Sequence, residues 1–270
     1  MTRAALRLAS LLSLLLAGCA PIPIARNSVY HPSDAALGVT RVVHGTFILE
    51  LHGTRLLLDP WFNSGFIVRQ REPLGLTPKT LPSLAAVLIS SLDPERFDTA
   101  ALRTLADTVP RAIAPPALRG ELLKLGFRDV TAVAWWQATT VDGATVTAVP
   151  TSRGTGVNGW VVSTNAVRCY IAGPTAPFSR MADIAARFPR LDVAILPIAG
   201  DMTPSQAAGV AATLRPSRVI PSAYGAHSRV PFIGGSAGAL DEFRAAMTKR
   251  GLADRVVAIE TGESWHYASP

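Results

Sequence analysis

Apolar residues along this chain recur with two different periods, and the order of those periods predicts a mixed α/β fold. The first runs, at 39–43, 46–51 and 55–58, are strand-like, with His52 and Gly53 as the turn of a hairpin. Strand-like and helical spacing then alternate, which is typical of two packed sheets with helices outside them. The other predicted strands are 86–90, 130–135, 144–149, 159–163, 167–172, 193–197, 219–221 and 255–260, and the predicted helices are 97–107, 117–125, 179–188, 205–214 and 236–250.

Capping residues support several of these helix ends. Gly126 follows the second predicted helix as a C-terminal cap, and Thr203-Pro204 is an N-cap followed by proline at the first helical position. Ser236 is the predicted N-cap of the last helix, and Gly251 ends it.

The overall composition excludes several classes of protein. With 49% hydrophobic and 17% charged residues, the chain is not an intrinsically disordered protein. The net charge of +7 comes from 26 Lys and Arg against 19 Asp and Glu, but the basic residues are scattered. Because they form no basic stripe with interleaved aromatic residues, we expect no nucleic-acid partner.

The first twenty residues have the composition of a secretory signal. Arg3 and Arg7 precede a short apolar core at 8–16, which is too brief to span a bilayer as a mature helix. The junction Leu-Ala-Gly-Cys that ends at Cys19 resembles the lipobox of bacterial lipoproteins. That resemblance implies cleavage before Cys19 and acylation of its thiol and its new amine. The alternative is a plain signal peptide in which Cys19 is an ordinary residue.

This N-terminus predicts three segments and a location. We expect a signal peptide at 1–18, the lipidated Cys19 with a Pro-rich tether at 19–38, and one domain at 39–270. Several acyl chains would anchor the protein firmly, since each buried CH₂ contributes about 0.8 kcal/mol. In proteins of this type an alanine after the cysteine, here Ala20, favours the outer membrane. The prediction is therefore a bacterial cell-envelope lipoprotein facing the periplasm.

The only cysteine besides Cys19 is Cys169. No intramolecular disulfide is therefore available to the mature protein, and the domain must be stabilised by its core.

Several sequence blocks resemble the metallo-β-lactamase fold superfamily. In the run VTRVVHGTFILELHGTRLLLDPWF at 39–62, His44, Thr46, Asp59 and Pro60 hold positions that this superfamily uses at its opening hairpin. The closest branch by resemblance is the ascorbate-phosphate lactonase and N-acylphosphatidylethanolamine phospholipase D group. The other blocks that carry the resemblance, in the same order and spacing, are 133–150, 159–162 and 191–221.

The resemblance implies a fold and a metal centre. The fold is a single α/β domain built as a four-layer αββα sandwich. The centre would hold zinc or manganese, but all seven ligand positions carry other residues. Those positions fall on Ser91, Asp93, Glu95, Arg96, Arg153 (with Ser152 as the nearest alternative), Pro174 and Ala223.

These replacements predict loss of the metal. Pro174 and Ala223 supply no ligand, and the guanidinium groups of Arg96 and Arg153 would repel a cation. We therefore expect no cofactor and no metal. His44 and Asp59 remain as retained family positions, and His44 is expected to form hydrogen bonds beneath the former site.

Some of these residues allow more than one interpretation. Asp93 and Glu95 could act as a pair of carboxylates or could form an ion pair with Arg96 that fills the former metal space. His227 could replace Ala223 as a ligand or could lie in a solvated loop.

Two further patterns favour structural roles. Ser90 and Ser91 could suggest a nucleophile, but no histidine base lies in the same segment, and the Gly-x-Ser-x-Gly motif is absent. Trp135 and Trp136 are expected in strand core and at a sheet edge rather than in a ligand cage.

Three function classes follow from these observations. The favoured class is a non-catalytic binding or scaffold lipoprotein, a pseudoenzyme of a metal-dependent hydrolase family. The alternatives are an enzyme with metal-independent chemistry and a hydrolase of phosphodiester, lactone or lipid substrates with an atypical metal site. Arg96 and Arg153 could bind an anion, such as an anionic lipid or glycan, or could be consumed in closed ion pairs. In the second case the partner would be another envelope protein.

Overall fold

The computed structural model describes residues 24–25, 29–63, 68–70, 72–228 and 238–268. The predicted signal segment, Cys19 and Ser236 lie outside these ranges. Within them, no helix is both long enough and apolar enough to cross a membrane.

The first sheet has seven strands in the order β15-β1-β2-β3-β5-β6-β7. Since β1 and β3 both run antiparallel to β2, and β3, β5, β6 and β7 are parallel, five carboxyl ends meet at one edge. We call this edge the site end. The strands are β1 (Leu37–Val43), β2 (Thr46–Leu51), β3 (Thr54–Leu58), β5 (Ala86–Leu88), β6 (Arg111–Ala114), β7 (Asp129–Ala132) and β15 (Ser264–Tyr267).

The second sheet has six strands in the order β13-β12-β11-β10-β9-β8. Its strands β11, β12 and β13 are parallel, and the loops that follow them also lie at the site end. A small antiparallel pair, β4 (Val68–Gln70) with β14 (Ala226–Ser228), lies outside both sheets. The sheet strands are β8 (Ala138–Val141), β9 (Ala144–Val149), β10 (Gly159–Ser163), β11 (Arg168–Ile171), β12 (Val193–Pro197) and β13 (Arg218–Ser222).

Three apolar clusters confirm the predicted four-layer αββα sandwich. One lies between the two sheets and includes Phe47 and Trp160, both fully buried. A second lies between the first sheet and helices α1 and α2, and a third between the second sheet and helices α3, α4 and α5. The helices are α1 (Thr99–Leu105), α2 (Arg119–Lys124), α3 (Met181–Arg187), α4 (Pro204–Leu214) and α5 (Ala239–Thr248).

Capping contacts fix the helix ends, and one of them confirms the predicted cap at Thr203. Thr203 caps α4 in a reciprocal capping box with Gln206, and Pro204 is the first helical residue. Asp98 caps α1 by accepting from the backbone N–H of Ala101, 3.0 Å away. The prediction of Ser236 as N-cap of the last helix is wrong: Gly238, with a left-handed φ of +77°, is the N-cap, and the helix begins at Ala239.

Two predictions about the strands were wrong. The segment 255–260 is not a strand: a 3₁₀ turn covers Ala253–Arg255, and Val256 forms only an isolated bridge with Val219. The apolar residues of this segment are buried without pairing in a sheet. Ile259, for example, is 3% exposed and lies in the core between the sheets. The last strand is instead β15.

Trp135 and Trp136 were also placed wrongly, because they form a turn between β7 and β8. Trp136 has a φ of +70°, which a strand residue does not adopt.

The described part of the predicted tether lies against the domain. Tyr30 donates a hydrogen bond to Glu50, and the backbone N–H of Ser33 donates to the same carboxylate at 2.8 Å. Further towards the N-terminus, Ile24 forms a bridge with Leu74. The chain therefore runs along the sheet before β1 begins at Leu37, two residues before the predicted domain boundary.

Candidate functional site

The loops at the site end bring most of the predicted site residues together. Asp59 follows β3, and the segment 89–96 follows β5. Arg153 comes from the loop between β9 and β10, and Asp201 from the loop after β12. The result is a cluster of charged side chains between the carboxyl ends of the two sheets.

Asp59 and Arg96 form the buried centre of this cluster. Nη1 of Arg96 donates to Oδ2 of Asp59 at 2.9 Å, and the backbone N–H of Ser90 donates to Oδ1 at 2.7 Å. Asp59 is 0% exposed and Arg96 is 8% exposed. A second carboxylate, that of Asp201, lies 3.5 Å from Nη2 of Arg96. The guanidinium is therefore held between two carboxylates.

A tight turn directs Arg96 into this position. The backbone N–H groups of Arg96 and Phe97 both donate to the carbonyl of Asp93 at 2.8 Å. Pro94 follows Asp93 as the first central residue of the turn, where its φ is favourable. Asp98 then accepts from Phe62 and begins α1, so the turn is held on both sides.

Arg153 forms a second and more exposed ion pair. Its guanidinium donates two hydrogen bonds to Asp93, at 2.5 and 2.9 Å, and lies 3.6 Å from Asp201. The side chain of Arg153 is 42% exposed. Ser91 donates to the same Asp93 carboxylate at 2.8 Å. Both candidate anion-binding arginines thus already contact carboxylates of the chain itself.

His44 lies in the turn between β1 and β2, beside the ion pairs. Its Nδ1 donates to the carbonyl of Tyr224 at 3.2 Å, and its Nε2 lies 3.4 Å from Glu95. The ring also packs edge-on against Trp61, with centroids 5.1 Å apart. The expected hydrogen-bonding role of His44 is present in this arrangement.

Three turns with a left-handed backbone meet at the same place. His44, Asp59 and Ala223, three of the seven described non-glycine residues with positive φ, have φ of +48°, +42° and +57°. The backbone N–H of Ala223 donates to the carbonyl of His44 at 3.2 Å, which joins two of the strained turns. Strained residues persist only where the surrounding structure holds them, and they cluster at functional sites.

Burial and pairing shift the ionisation of the cluster in opposite directions. Burial raises the pKa of the Asp59 carboxyl, against the opposing effect of Arg96 and the Ser90 N–H. Burial also raises the pKa of Asp201. The hydrogen bond with His44 is the main cause that lowers the pKa of Glu95. Burial disfavours the charge of Arg96, but the carboxylates of Asp59 and Asp201 outweigh it and raise the pKa of that guanidinium.

The side chains at the positions that the resemblance assigns to metal ligands do not fit a divalent metal ion. Zinc and related ions need several nitrogen, sulfur or oxygen donors that converge at about 2.0–2.3 Å. Here Arg96 and Arg153 bring positive charge to two of the positions, and Pro174 and Ala223 are buried without a donor side chain. Among the residues that the structure describes, no group of three or more His, Cys, Asp or Glu side chains could hold a metal ion.

The other candidate residues have structural contacts. Ser90 is fully buried and accepts a hydrogen bond from the indole N–H of Trp160 at 3.2 Å, so its hydroxyl is not accessible to a substrate. Ser152, the alternative to Arg153, contacts Thr175 and Ala176. The side chain of His227 lies outside the described residues.

Asp201 is the site residue that sequence reasoning missed. It lies four residues past the end of strand β12, after Gly200, in a block that was already matched to the family. Its position after a buried parallel strand, at the same edge as Asp59, was the available signal.

Comparisons with known proteins agree with this architecture. A sequence profile described as the Beta-lactamase superfamily domain matches residues 54–224. An uncharacterized protein of Mycobacterium tuberculosis is 29% identical over 198 residues, covering 66% of this chain and 53% of that protein. The chain thus spans about half the length of the mycobacterial relatives that it matches.

Two further proteins extend the comparison. A UPF0173 metal-dependent hydrolase of Pyrobaculum neutrophilum is 30% identical over 194 residues, covering 67% of this chain and 81% of that one. The solved structure of a metallo hydrolase from Ignicoccus hospitalis superposes with a TM-score of 0.69 at 21% identity, covering 86% of this chain and 99% of that chain.

Removing Arg96 tests the buried ion pair. Arg96→Ala leaves the Asp59 carboxylate buried without a counter-charge, so we expect the free energy of unfolding to fall by about 3–5 kcal/mol. Arg153→Ala is the matched control: its ion pair is exposed, so the loss should stay below about 1 kcal/mol. Urea unfolding followed by circular dichroism measures both. Equal, small losses in the two variants would show that Arg96 is not the buried counter-charge.

The loss in free energy of unfolding caused by Arg96→Ala should also depend on pH. Without Arg96, the pKa of Asp59 in the folded state rises further above its unfolded value of about 3.9. A raised carboxyl pKa penalises folding above the unfolded pKa and not below it. The stability deficit should therefore be largest at neutral pH and shrink as the pH falls towards about 4.

Proposed function

Because this chain belongs to the beta-lactamase superfamily, we propose that it is a non-catalytic member of that superfamily, anchored in the bacterial cell envelope through a lipidated Cys19. Its domain serves as a binding or scaffold module. Fold alone does not determine activity, so the proposal depends on the residues at the site.

One observation carries the non-catalytic part of the proposal. The guanidinium of Arg96 is buried between Asp59 and Asp201, at 2.9 and 3.5 Å, at one of the family's ligand positions. Metal-dependent hydrolysis needs a water activated by a bound cation. A guanidinium carries a single positive charge, half that of a divalent metal ion, and has no open coordination position for water. The ion pairs therefore support a site that keeps the shape of the hydrolase fold without its chemistry.

A second candidate function is a hydrolase of phosphodiester, lactone or lipid substrates that uses an atypical metal site. Four carboxylates lie in the cluster, those of Asp59, Asp93, Glu95 and Asp201, against two guanidinium groups. This acidic excess is the observation that favours the alternative. The similarity to relatives named as metal-dependent hydrolases also supports this alternative.

Metal content distinguishes the two functions. We expect the purified full-length protein to contain far less than one equivalent of zinc, manganese or iron by elemental analysis. A chelator should leave its melting temperature unchanged, since a metal bound only to the folded state would add stability. About one equivalent of metal that is lost together with thermal stability would instead support the hydrolase alternative.

The anchoring part of the proposal has its own test. Cys19→Ala should release the protein from membranes or leave it unprocessed, and it should abolish incorporation of labelled palmitate. Cys169→Ala is the matched control, because Cys169 is fully buried in the second sheet and is not accessible to acylation. Membrane fractionation with mass spectrometry of the N-terminal peptide gives the readout. An unmodified N-terminal peptide in the wild type would rule out the anchor.

A further inference from the structure

Two tryptophans and two arginines form a surface cluster at the site end, outside the ion-pair network. The guanidinium carbon of Arg180 lies 5.4 Å from the ring centroid of Trp135 and 5.9 Å from that of Trp136. Arg187 lies 5.2 Å from the ring of Trp136. These distances are typical of cation–π contacts. We call these four residues the Trp-Arg rim.

The turn that carries the two tryptophans is held by hydrogen bonds. The indole N–H of Trp135 donates to the carbonyl of Val157 at 2.9 Å. The backbone N–H of Trp136 donates to the carbonyl of Ala148 at 2.7 Å. Both residues are half-buried, so part of each is accessible to solvent from a fixed position.

An exposed leucine extends the apolar part of this surface. Leu92 is 52% exposed and lies in the loop after β5. The carbonyl of Ser90, two residues earlier, accepts from the backbone of Asn158, whose side chain donates to Val133. Val133 lies two residues before Trp135 in the chain. The loop of Leu92 and the rim are therefore adjacent at the site end.

The local charge of the Trp-Arg rim is positive. Arg180 and Arg187 bring two guanidinium groups against the one carboxylate of Asp183, whereas Arg153 is already paired with Asp93 and Asp201. The contact of Arg180 with Asp183 is long, at 3.4 Å, and both side chains are largely exposed. Arginine next to half-exposed tryptophan matches the interface of an anionic bilayer, where indole rings lie at headgroup level.

The path of the N-terminal segment brings the chain to the same end. Ile24 pairs with Leu74, and the next residue, Gly75, donates to the carbonyl of Val42 near the carboxyl end of β1. Ile24 is five positions after Cys19 in the sequence. Such a segment spans at most about 18 Å. A lipid on Cys19 would therefore hold the site end near the membrane.

We propose that the Trp-Arg rim and Leu92 form a membrane-contact surface for anionic phospholipid, so that the site end of the domain faces the bilayer. The tryptophans and Leu92 enter the interfacial region, and Arg180 and Arg187 contact lipid phosphates. The orientation of the anchored domain rests on the proposed lipidation of Cys19, whereas the contact itself depends only on residues of the rim.

Tryptophan fluorescence tests this contact. The full-length protein is reconstituted into vesicles of phosphatidylglycerol and phosphatidylethanolamine with brominated acyl chains, which quench indoles that reach the bilayer. We expect quenching in the wild type and its loss when Trp135→Phe and Trp136→Phe are combined. Trp265→Phe, in the distant strand β15, is the matched control and should leave the quenching unchanged.

Charge reversal tests whether Arg180 and Arg187 contact lipid phosphates. Arg180→Glu combined with Arg187→Glu should reduce the quenching, and added salt should weaken it in the wild type. Arg103→Glu combined with Arg244→Glu makes the same change in net charge on exposed positions of α1 and α5 and should have no effect. Melting temperatures confirm that each variant is folded.

Failure of the contact can be distinguished from failure of the anchor. If the protein floats with the vesicles but its tryptophans are not quenched, or if Trp135→Phe with Trp136→Phe retains the quenching, the membrane-contact surface is wrong. If the protein does not co-float with the vesicles in a density gradient, the proposed lipid anchor is wrong. The membrane contact is then tested by adding anionic vesicles to the unanchored protein and measuring tryptophan quenching. Absence of quenching there would leave a glycan or a protein as the partner of the rim.

Discussion

The ion pair between Arg96 and Asp59 is the contact on which the site end of this protein depends. Asp59 is fully buried, and a carboxylate without a cation beside it would be strongly unfavourable there. Arg96 supplies that cation from a neighbouring loop and contacts Asp201 as well. A buried ion pair often adds little net stability, but removing one partner is costly. The two residues therefore constrain each other and the loops that carry them.

The backbone around this pair keeps a strained geometry. Positive φ at His44, Asp59 and Ala223 brings three turns to the same point, and the hydrogen bond from Ala223 to His44 connects two of them. Such strain requires support from the sheets below, which the buried core between the two layers provides. The sandwich fold of the superfamily thus presents ion-paired side chains at its site end.

Sequence reasoning predicted the fold well and the site in part. The apolar periodicity and the turn residues located most strands of both sheets. The family resemblance predicted that Asp93, Glu95, Arg96 and Arg153 lie in one cleft. The pairing of these residues could not be predicted, because it depends on loop conformations: Asp201 was missed although it contacts both arginines. The strand predicted at 255–260 and the placement of Trp136 failed for a related reason. An apolar pattern in the sequence indicates that a segment is buried. Whether that segment pairs as a strand or contains a residue with a left-handed φ depends on tertiary contacts.

The most direct test of the central ion pair is a double-mutant cycle between Arg96 and Asp59. The free energies of unfolding are measured for the wild type, Arg96→Ala, Asp59→Asn and the double variant; asparagine tolerates the positive φ of position 59. A coupling free energy of about 2–3 kcal/mol is expected, with the double variant more stable than Arg96→Ala because no unpaired carboxylate remains buried. Single losses that add to within about 0.5 kcal/mol would contradict the ion pair as the centre of the site.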